Sequence, residues 1–319
     1  MKSNNRLLFH ILAFLTVAIW GSTFVFTKLL LQAGLSPAQI FTLRFIIAYV
    51  LLLAYQLISH LVPHSSSNHP RTSHLVPRTS NAPRLFCSFW RDELLMVALG
   101  ITGGSVYFLA ENAAMLYTTA TNTSLIVCSC PLFTMLLVAL FYRQSERITR
   151  TQAVGSLLAC LGMAVVVLNG HFVLHLSPLG DMLAFGACLC WAFYSLLMKV
   201  ALERYSALFI TRKVFFYGLL TIIPYYIIVP GFPTLDVLLR ADVLWNLLFL
   251  GVVASMLCFL VWNWVIRQLG AVVATNWVYL NPLTTILFAW WILSEQITAW
   301  FLLGTVLIIV GMYLADRHR

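Results

Sequence analysis

The stretch SERIT at residues 145–149 recurs as SEQIT at residues 294–298. Glycines follow the two copies at the same spacing: Gly155 and Gly162 after the first, Gly304 and Gly311 after the second. Agreement at this many positions predicts an internal duplication.

The correspondence extends upstream of this stretch. Asn112 precedes Pro131 by 19 residues, and Asn263 precedes Pro282 by the same interval. Nearer the start of each copy, a tryptophan precedes a lysine by eight residues, as in Trp20 and Lys28 and again in Trp191 and Lys199. We therefore divide the chain into a first half, residues 1–169, and a second half, residues 179–319.

The composition identifies lipid as the solvent of both halves. Of the 319 residues, 61% are apolar and only 9% are charged, whereas about a quarter of an average soluble domain is charged. A soluble globule of this length could not bury so much apolar surface. The net charge of +9 is a topology signal in such a chain, so we expect no nucleic-acid partner.

Ten apolar blocks are each long enough to cross a bilayer, which takes about 20 residues. They cover approximately residues 8–32, 37–61, 92–115, 121–142, 150–169, 179–203, 208–229, 242–266, 271–293 and 298–315. The sequence thus predicts an all-α polytopic membrane protein with ten transmembrane helices, arranged as two inverted five-helix repeats. The segment 59–91 is polar and contains a short duplication, and we interpret residues 62–91 as a flexible cytoplasmic linker.

Basic residues indicate the orientation of these spans. Seventeen Lys and Arg residues lie at span ends or in loops, and sixteen of them fall on the side of the N-terminus. Arg240 is the exception. By the positive-inside rule, both termini are predicted to be cytoplasmic, in a multi-pass protein of the inner membrane.

A repeat of five spans has a functional implication. An odd number of spans returns the chain to the opposite side, so the second half must be inverted relative to the first. Inverted halves around a central site are typical of secondary transporters that work by alternating access. The alternatives are a membrane enzyme acting on lipids, which would need clustered acids or a metal site, and a channel or receptor.

The motifs resemble those of a known family. The segment Trp20-Gly-Ser-Thr-Phe-Val-Phe-Thr-Lys28, then Arg44-Phe-Ile-Ile-Ala48, then Glu146 with the spaced glycines resemble EamA-type transporters of the drug/metabolite transporter superfamily. The resemblance implies a ten-helix carrier, often an exporter of amino acids or other small or amphiphilic metabolites. It implies no enzymatic activity. The chain departs from the family in its long linker and in lacking a second-half counterpart of Arg44-Phe45.

Several polar and aromatic side chains fall near the predicted midplane. Prolines at mid-span free backbone carbonyls, and Pro131 and Pro282 are predicted to break their helices at matching places. Aromatic walls and hydrogen-bonding groups suit a small amphiphilic substrate; ordinary helix packing is the alternative. The candidate substrate-binding residues are Trp20, Ser22, Thr23, Tyr107, Ser129, Trp191, Tyr194 and Asn281.

Charged residues inside spans are functional candidates because a charge in lipid is costly. Lys28, Arg44 and Glu111 are the main ones, with Asn112 beside Glu111. We interpret these four as gating or coupling residues: Glu111 could pair with Lys28 or Arg44, or carry a proton. Alternatively, the two basic side chains extend to the membrane surface.

The remaining features are predicted to be structural. Thr149 and Thr298 are placed to cap helices, with Glu146 and Glu295 near the same helix starts. The spaced glycines should allow close helix packing. Tryptophans near span ends are interpreted mostly as interfacial anchors: Trp262, Trp264, Trp290, Trp291 and Trp300.

No metal ion or cofactor is expected, since the four linker histidines lack a fixed ligand spacing. The expected partners are a small-molecule substrate and the lipid bilayer. The sequence leaves a homodimer open.

The predicted topology can be tested with single cysteines in the linker and at the C-terminus. We expect Ser66→Cys and His318→Cys to react with a membrane-impermeant thiol reagent only in inverted vesicles. Thr234→Cys, in a predicted outer loop, is the matched control and should react only in right-side-out vesicles. Reaction of the linker and C-terminal cysteines from opposite sides would contradict an even number of intervening spans.

Overall fold

The structure is a computed structural model that describes residues 3–61, 86–118, 120–142, 148–168, 177–293 and 299–316. Within these ranges the secondary structure is entirely helical. This agrees with the predicted fold class, an all-α polytopic membrane protein. The linker 62–91 lies mostly outside the described residues.

The first half contains seven α-helices in its described residues. In chain order they are α1 (Ser3–Gln32), α2 (Pro37–Leu61), α3 (Trp90–Gly100), α4 (Val106–Tyr117), α5 (Ala120–Val127), α6 (Cys130–Phe141) and α7 (Arg150–Leu168). A π-helical segment, Ile101–Ser105, joins α3 to α4 and contains a kink, with non-helical backbone at Gly104.

The second half begins with a long helix and continues through shorter ones. In chain order they are α8 (Pro178–Arg204), α9 (Ala207–Thr221), α10 (Ile223–Ile228), α11 (Leu235–Leu238), α12 (Ala241–Leu248), α13 (Cys258–Leu269), α14 (Ala271–Asn276), α15 (Asn281–Leu293) and α16 (Ala299–Asp316). A π-helical segment, Phe249–Leu257, joins α12 to α13, and a 3₁₀ segment, Trp277–Leu280, joins α14 to α15.

Six helical stretches of the described chain are long and apolar enough to cross a membrane. They are Arg6–Gln32, Pro37–Ile58, Trp90–Tyr117, Pro178–Arg204, Ala207–Ile228 and Ala241–Leu269. Shorter or interrupted helices occupy the other four predicted spans. The count of ten spans therefore stays a prediction.

Helix irregularities occur at matching places in the two halves. The helix before Pro131 ends at Val127 and a new one begins at Cys130; the α-helix before Pro282 ends at Asn276 and resumes after one 3₁₀ turn. Irregular backbone thus precedes both prolines. The two π-helical segments also correspond, but the sequence showed no signal for them. In lipid, such irregular backbone is tolerated where protein or a cavity satisfies it.

The helices of the two halves interleave. Helix α1 packs on α13 and α15, α2 on the second π-helical segment, α3 on α9, and α4 on α8. The large buried aromatic side chains of the core lie where these helices meet, among them Phe41, Phe45, Phe215, Phe259 and Trp262. Each half therefore completes the other's core.

The spaced glycines bring α7 and α16 together, one helix from each half. A Cβ atom on Gly155 would lie 2.5 Å from the Gly311 carbonyl oxygen, and one on Gly162 would lie 2.7 Å from the Gly304 carbonyl oxygen. Only hydrogen atoms fit at such a distance. The prediction that these glycines permit close packing is confirmed.

A capping box begins α7. The Thr149 hydroxyl accepts from the backbone N–H of Gln152 (3.2 Å), and Gln152 Oε1 accepts from the backbone N–H of Thr149 (3.0 Å). The predicted cap at Thr149 is thus confirmed. Glu146, Glu295 and Thr298 lie outside the described residues.

The glycine contact predicts a difference between two single-methyl substitutions. Gly162→Ala should lower the melting temperature of the purified protein, because overpacking costs about 1–3 kcal/mol. Gly186→Ala in α8 is the matched control, since its Cβ would meet nothing within 4 Å. We expect that substitution to be neutral or slightly stabilising, because alanine is the better helix former. Equal melting temperatures for the two variants would contradict the packing argument.

Candidate functional site

A cavity lies at the meeting point of the two halves. It contains about 460 Å³ of space unoccupied by protein atoms, including space open to the outside. Its lining comes from α1, α2, α4 to α6, α8, α13, α15 and the 3₁₀ segment. The lining residues are Trp20, Thr23, Phe24, Arg44, Tyr107, Phe108, Glu111, Val127, Cys130, Trp191, Phe259, Val278 and Asn281.

Aromatic rings form one wall of this cavity. Trp20 and Trp191 meet edge to face with ring centroids 5.3 Å apart, and Phe259 lies 5.8 Å from Trp20 and 6.0 Å from Trp191. The Trp20 indole N–H donates to the carbonyl oxygen of Ala254 (2.9 Å). Because Ala254 lies in the second π-helical segment, this bond ties the wall to both halves.

Arg44 reaches the cavity from α2 and is only 3% exposed. Its Nε donates to Ser255 Oγ (2.8 Å), and its guanidinium carbon lies 4.4 Å from the centroid of the Phe108 ring. The suggestion that this side chain extends to the membrane surface is therefore wrong. Both terminal nitrogens lack a hydrogen-bond partner within the part of the chain that the structure describes.

Glu111 faces the same cavity from α4 and is 8% exposed. It lies one helical turn after Tyr107, whose hydroxyl donates to Glu111 Oε1 (3.0 Å). Glu111 and Arg44 interact electrostatically. No direct ion pair joins them in the described ranges, so the predicted pair is a through-space interaction in this conformation.

Two further polar atoms of the lining are buried without a hydrogen-bond partner among the described residues. They are Asn281 Oδ1 and Trp191 Nε1. A buried polar group without a partner costs about 1–3 kcal/mol. Both atoms therefore favour a ligand or water in the cavity.

Five of the eight predicted substrate-binding residues line the cavity: Trp20, Thr23, Tyr107, Trp191 and Asn281. The other three do not, and each makes a local contact instead.

Ser22 donates to the Ile19 carbonyl and Ser129 to the Ile126 carbonyl. Tyr194 is fully buried behind Trp191 and donates to Asn263 Oδ1 (2.8 Å). These three side chains therefore lie outside the cavity lining, and the two serine hydroxyls bond the preceding turn, as hydroxyls in helices usually do.

Of the four predicted gating or coupling residues, two line the cavity and two do not. Arg44 and Glu111 line the cavity. Asn112 is buried and donates to the Pro37 carbonyl oxygen (3.3 Å), which is a structural contact between helices. Lys28 is exposed, so it does not pair with the buried Glu111 in this structure.

The predicted anchoring tryptophans include one error. Trp262 is completely buried, with its ring centroid 5.0 Å from that of Trp20. It supports the cavity wall from behind. Trp264 and Trp300 are exposed, as anchors would be. The side chains of Trp290 and Trp291 lie outside the described set.

Six lining residues were not predicted from the sequence: Phe24, Phe108, Val127, Cys130, Phe259 and Val278. Phe108 directly follows a predicted residue, and Cys130 directly precedes Pro131. Phe259 lies in α13, four residues after the Ser255 that holds Arg44. Residues near these three carried a signal, but which face each helix turns inward depends on how the helices pack.

An ionic cluster joins the halves away from the cavity, at the ends predicted to be cytoplasmic. Arg204 donates to Asp92 Oδ1 (2.6 Å), and Lys213 donates to both oxygens of Glu93 (2.8 and 2.9 Å). Tyr205 donates to Asp92, and Tyr217 donates to Glu93.

We call Asp92, Glu93, Arg204 and Lys213 the ionic cluster. Both acids come from the first half and both bases from the second, and Asp92 and Lys213 are each only 3% exposed. The cluster therefore fixes the position of one half against the other at this end.

A different arrangement occurs at the start of α12, the second-half counterpart of α3. Asp242 pairs with Arg240, two residues away (2.7 Å), and both side chains are more than half exposed. This pair lies within one half. Across the halves at that end, neutral bonds are found instead, such as Gln39 Nε2 to the Gly231 carbonyl (3.2 Å) and Tyr226 to Thr42 (3.0 Å).

The chain is thus a polytopic helical membrane protein with a cavity between its two halves. The sequence profile of the EamA-like transporter family matches residues 7–168 and again residues 178–315. The chain therefore belongs to the EamA-like transporter family, and it is a small-metabolite transporter of the drug/metabolite transporter superfamily.

Curated relatives agree with this membership. An uncharacterized transporter of Archaeoglobus fulgidus is 26% identical over 314 residues, 97% of this chain and 98% of that one. A probable terminal-alkyne amino-acid exporter of Streptantibioticus cattleyicolor is 30% identical over 71% of this chain and 74% of its own length. A probable amino-acid metabolite efflux pump of Escherichia coli is 26% identical over 95% of this chain and 93% of its own length.

A solved crystal structure is similar in fold. Its TM-score is 0.69 at 16% identity, and the alignment covers 97% of this chain and 98% of that one. At this identity the likeness concerns the fold alone.

Proposed function

We propose that this protein is a secondary transporter that exports small organic metabolites, such as amino acids or amphiphilic compounds, across the inner membrane by alternating access. The observation that carries the proposal is the cavity between the halves, lined by aromatic rings and by one buried charge of each sign. Two relatives named as amino-acid or amino-acid metabolite exporters support this cargo and direction.

The proposed architecture is two five-helix halves, residues 1–169 and 179–319, inverted relative to one another, with both termini cytoplasmic. It is supported by the sequence duplication and by the double match of one family profile. The corresponding π-helical segments and the irregular backbone before both prolines add a structural repeat. Inverted halves can exchange conformations, so that a central site faces each side in turn.

The ionic cluster is the proposed inner gate. Arg44 lies seven residues after the start of α2, and Glu111 lies six residues before the end of α4. With the predicted orientation, both are near the outer ends of their helices, so the cavity is on the outer side of the cluster. The structure then corresponds to a conformation closed towards the cytoplasm, and opening requires the cluster to separate.

The alternatives from the sequence were a channel or receptor and a membrane enzyme acting on lipids. The enzyme would need a cluster of ligands or acids at one membrane face, and the matching family and relatives are transporters. The comparisons give neither alternative any support.

Transport can be tested by counterflow in proteoliposomes, screening amino acids, nucleosides and amphiphilic drugs. For whichever compound is transported, Trp191→Ala and Asn281→Ala should each lower uptake at least about tenfold, equivalent to about 1.4 kcal/mol. The matched control is Trp245→Ala, at a position that is 70% exposed, and it should transport normally. Absence of transport for the whole panel, or normal uptake in both cavity variants, would contradict the proposal.

The inner gate can be tested through the accessibility of the cavity from the cytoplasm. Glu93→Gln removes the charge that holds Lys213, so the closed state should lose about 1–3 kcal/mol. A cysteine at Val278, on the cavity wall, should then react faster from inverted vesicles, by about tenfold for each 1.4 kcal/mol. Asp242→Asn is the matched control because its ion pair lies within one half, and it should leave the rate unchanged. Equal rates in the two variants would remove the gate role.

A further inference from the structure

We infer that Arg44 and Glu111 are the specificity-determining residues of the cavity, and that they bind the carboxylate and the ammonium group of one small zwitterion. This inference deepens the proposed function and rests on it. It assigns one named residue to each charge of the cargo.

The geometry of Arg44 favours a carboxylate. Its Nε is occupied by Ser255 Oγ (2.8 Å), which orients the guanidinium, and the Phe108 ring covers one face. The two terminal nitrogens keep no hydrogen-bond partner among the described residues. A guanidinium presented in this way offers two parallel N–H donors, the arrangement that binds a carboxylate bidentately.

The geometry of Glu111 favours an ammonium group. Tyr107 donates to Oε1 (3.0 Å) and holds the carboxylate in place. The second oxygen, Oε2, has no donor within the described part of the chain. An ammonium group on a ligand could therefore bond Glu111 without displacing a protein contact.

The charge balance of the cavity points to a ligand that carries both signs. Arg44 and Glu111 are buried and attract each other without direct contact. The cavity lining is therefore neutral overall. A zwitterion keeps it neutral and adds charge-assisted hydrogen bonds at both ends, whereas a simple anion or cation leaves one net charge in a low-dielectric site.

The rest of the cavity suits the body of such a ligand. Trp20, Trp191 and Phe259 provide apolar surface for an aromatic or branched aliphatic group.

Three matched probes test the inference: L-phenylalanine, phenethylamine, which lacks the carboxylate, and 3-phenylpropionate, which lacks the amine. A second set of leucine, 3-methylbutylamine and 4-methylpentanoate repeats the design with a smaller body. Affinities are measured by thermal shift on the purified full chain and by competition in counterflow. The wild type should prefer each zwitterion to both of its analogues by at least about tenfold.

Two neutralising variants should change the preference in opposite directions. Glu111→Gln leaves a net positive cavity, so it should bind 3-phenylpropionate more tightly than the wild type does and L-phenylalanine less tightly. Arg44→Gln should bind phenethylamine more tightly than the wild type does, and L-phenylalanine less tightly. Because each variant gains one ligand, general damage to the fold cannot imitate the result.

Two sets of further variants complete the design. Arg44→Lys keeps the charge without the planar guanidinium. It should weaken the binding of L-phenylalanine and 3-phenylpropionate and leave the binding of phenethylamine unchanged. This variant replaces Arg44→Gln if that one does not fold. Glu203→Gln and Arg267→Gln are the controls, because both positions are exposed. They should behave as the wild type.

The inference is overturned if the wild type binds the three probes of a set equally, or if neither neutralising variant gains its ligand. It is also overturned if the wild type binds none of the six probes while the metabolite screen detects another cargo, in which case the proposed function stands. If the screen detects no transport of any compound, the proposed function itself fails.

Discussion

A guanidinium buried inside a membrane protein must be compensated by the protein, because lipid offers neither counter-charge nor hydrogen bonds. Arg44 meets this constraint with groups from both halves: Ser255 from the second half, and Phe108 and Glu111 from the first. The halves therefore have to meet at this point. The cavity exists because these groups surround Arg44 without filling the space between it and Glu111.

The irregular backbone around the cavity follows from the same constraint. A π-helical or broken segment leaves carbonyl groups without their usual partners, and these must be satisfied within the protein. The Ala254 carbonyl illustrates this, since the Trp20 indole N–H donates to it from the other half. The irregular segments thus supply hydrogen-bonding groups where a regular helix would present none, and they recur in both halves.

Two kinds of contact between the halves differ in how easily they could separate. The contact between α7 and α16 depends on glycine backbones at van der Waals distance over two matching positions, Gly155 and Gly162. Such packing is dry and close, and it suits a fixed axis. The ionic cluster is partly exposed through Arg204, 57% of whose side chain is accessible, so water can replace its bonds. The proposed conformational change would therefore separate the cluster and leave the glycine contact in place.

Much of this protein was determined by its sequence alone, because the relevant signals are local or periodic. Apolar blocks indicated the helical membrane class, the repeated motifs indicated the duplication, and mid-span prolines marked the irregular backbone that precedes them. Five of the predicted substrate-binding residues line the cavity, because polar or aromatic groups near the midplane of a span are few and served as candidates. These inferences need only the composition and spacing of residues within a span.

The tertiary structure alone decided which side chains face the cavity. Ser22 and Thr23 are adjacent, yet only Thr23 lines it; Tyr194 and Trp262 lie behind the Trp191 and Trp20 rings. Which face a helix turns inward depends on the helices it packs against, and no periodicity in the sequence records that packing. Pairing across the halves likewise depends on how the helices interleave, which is why Ser255 became the partner of Arg44 and Lys213 the partner of Glu93.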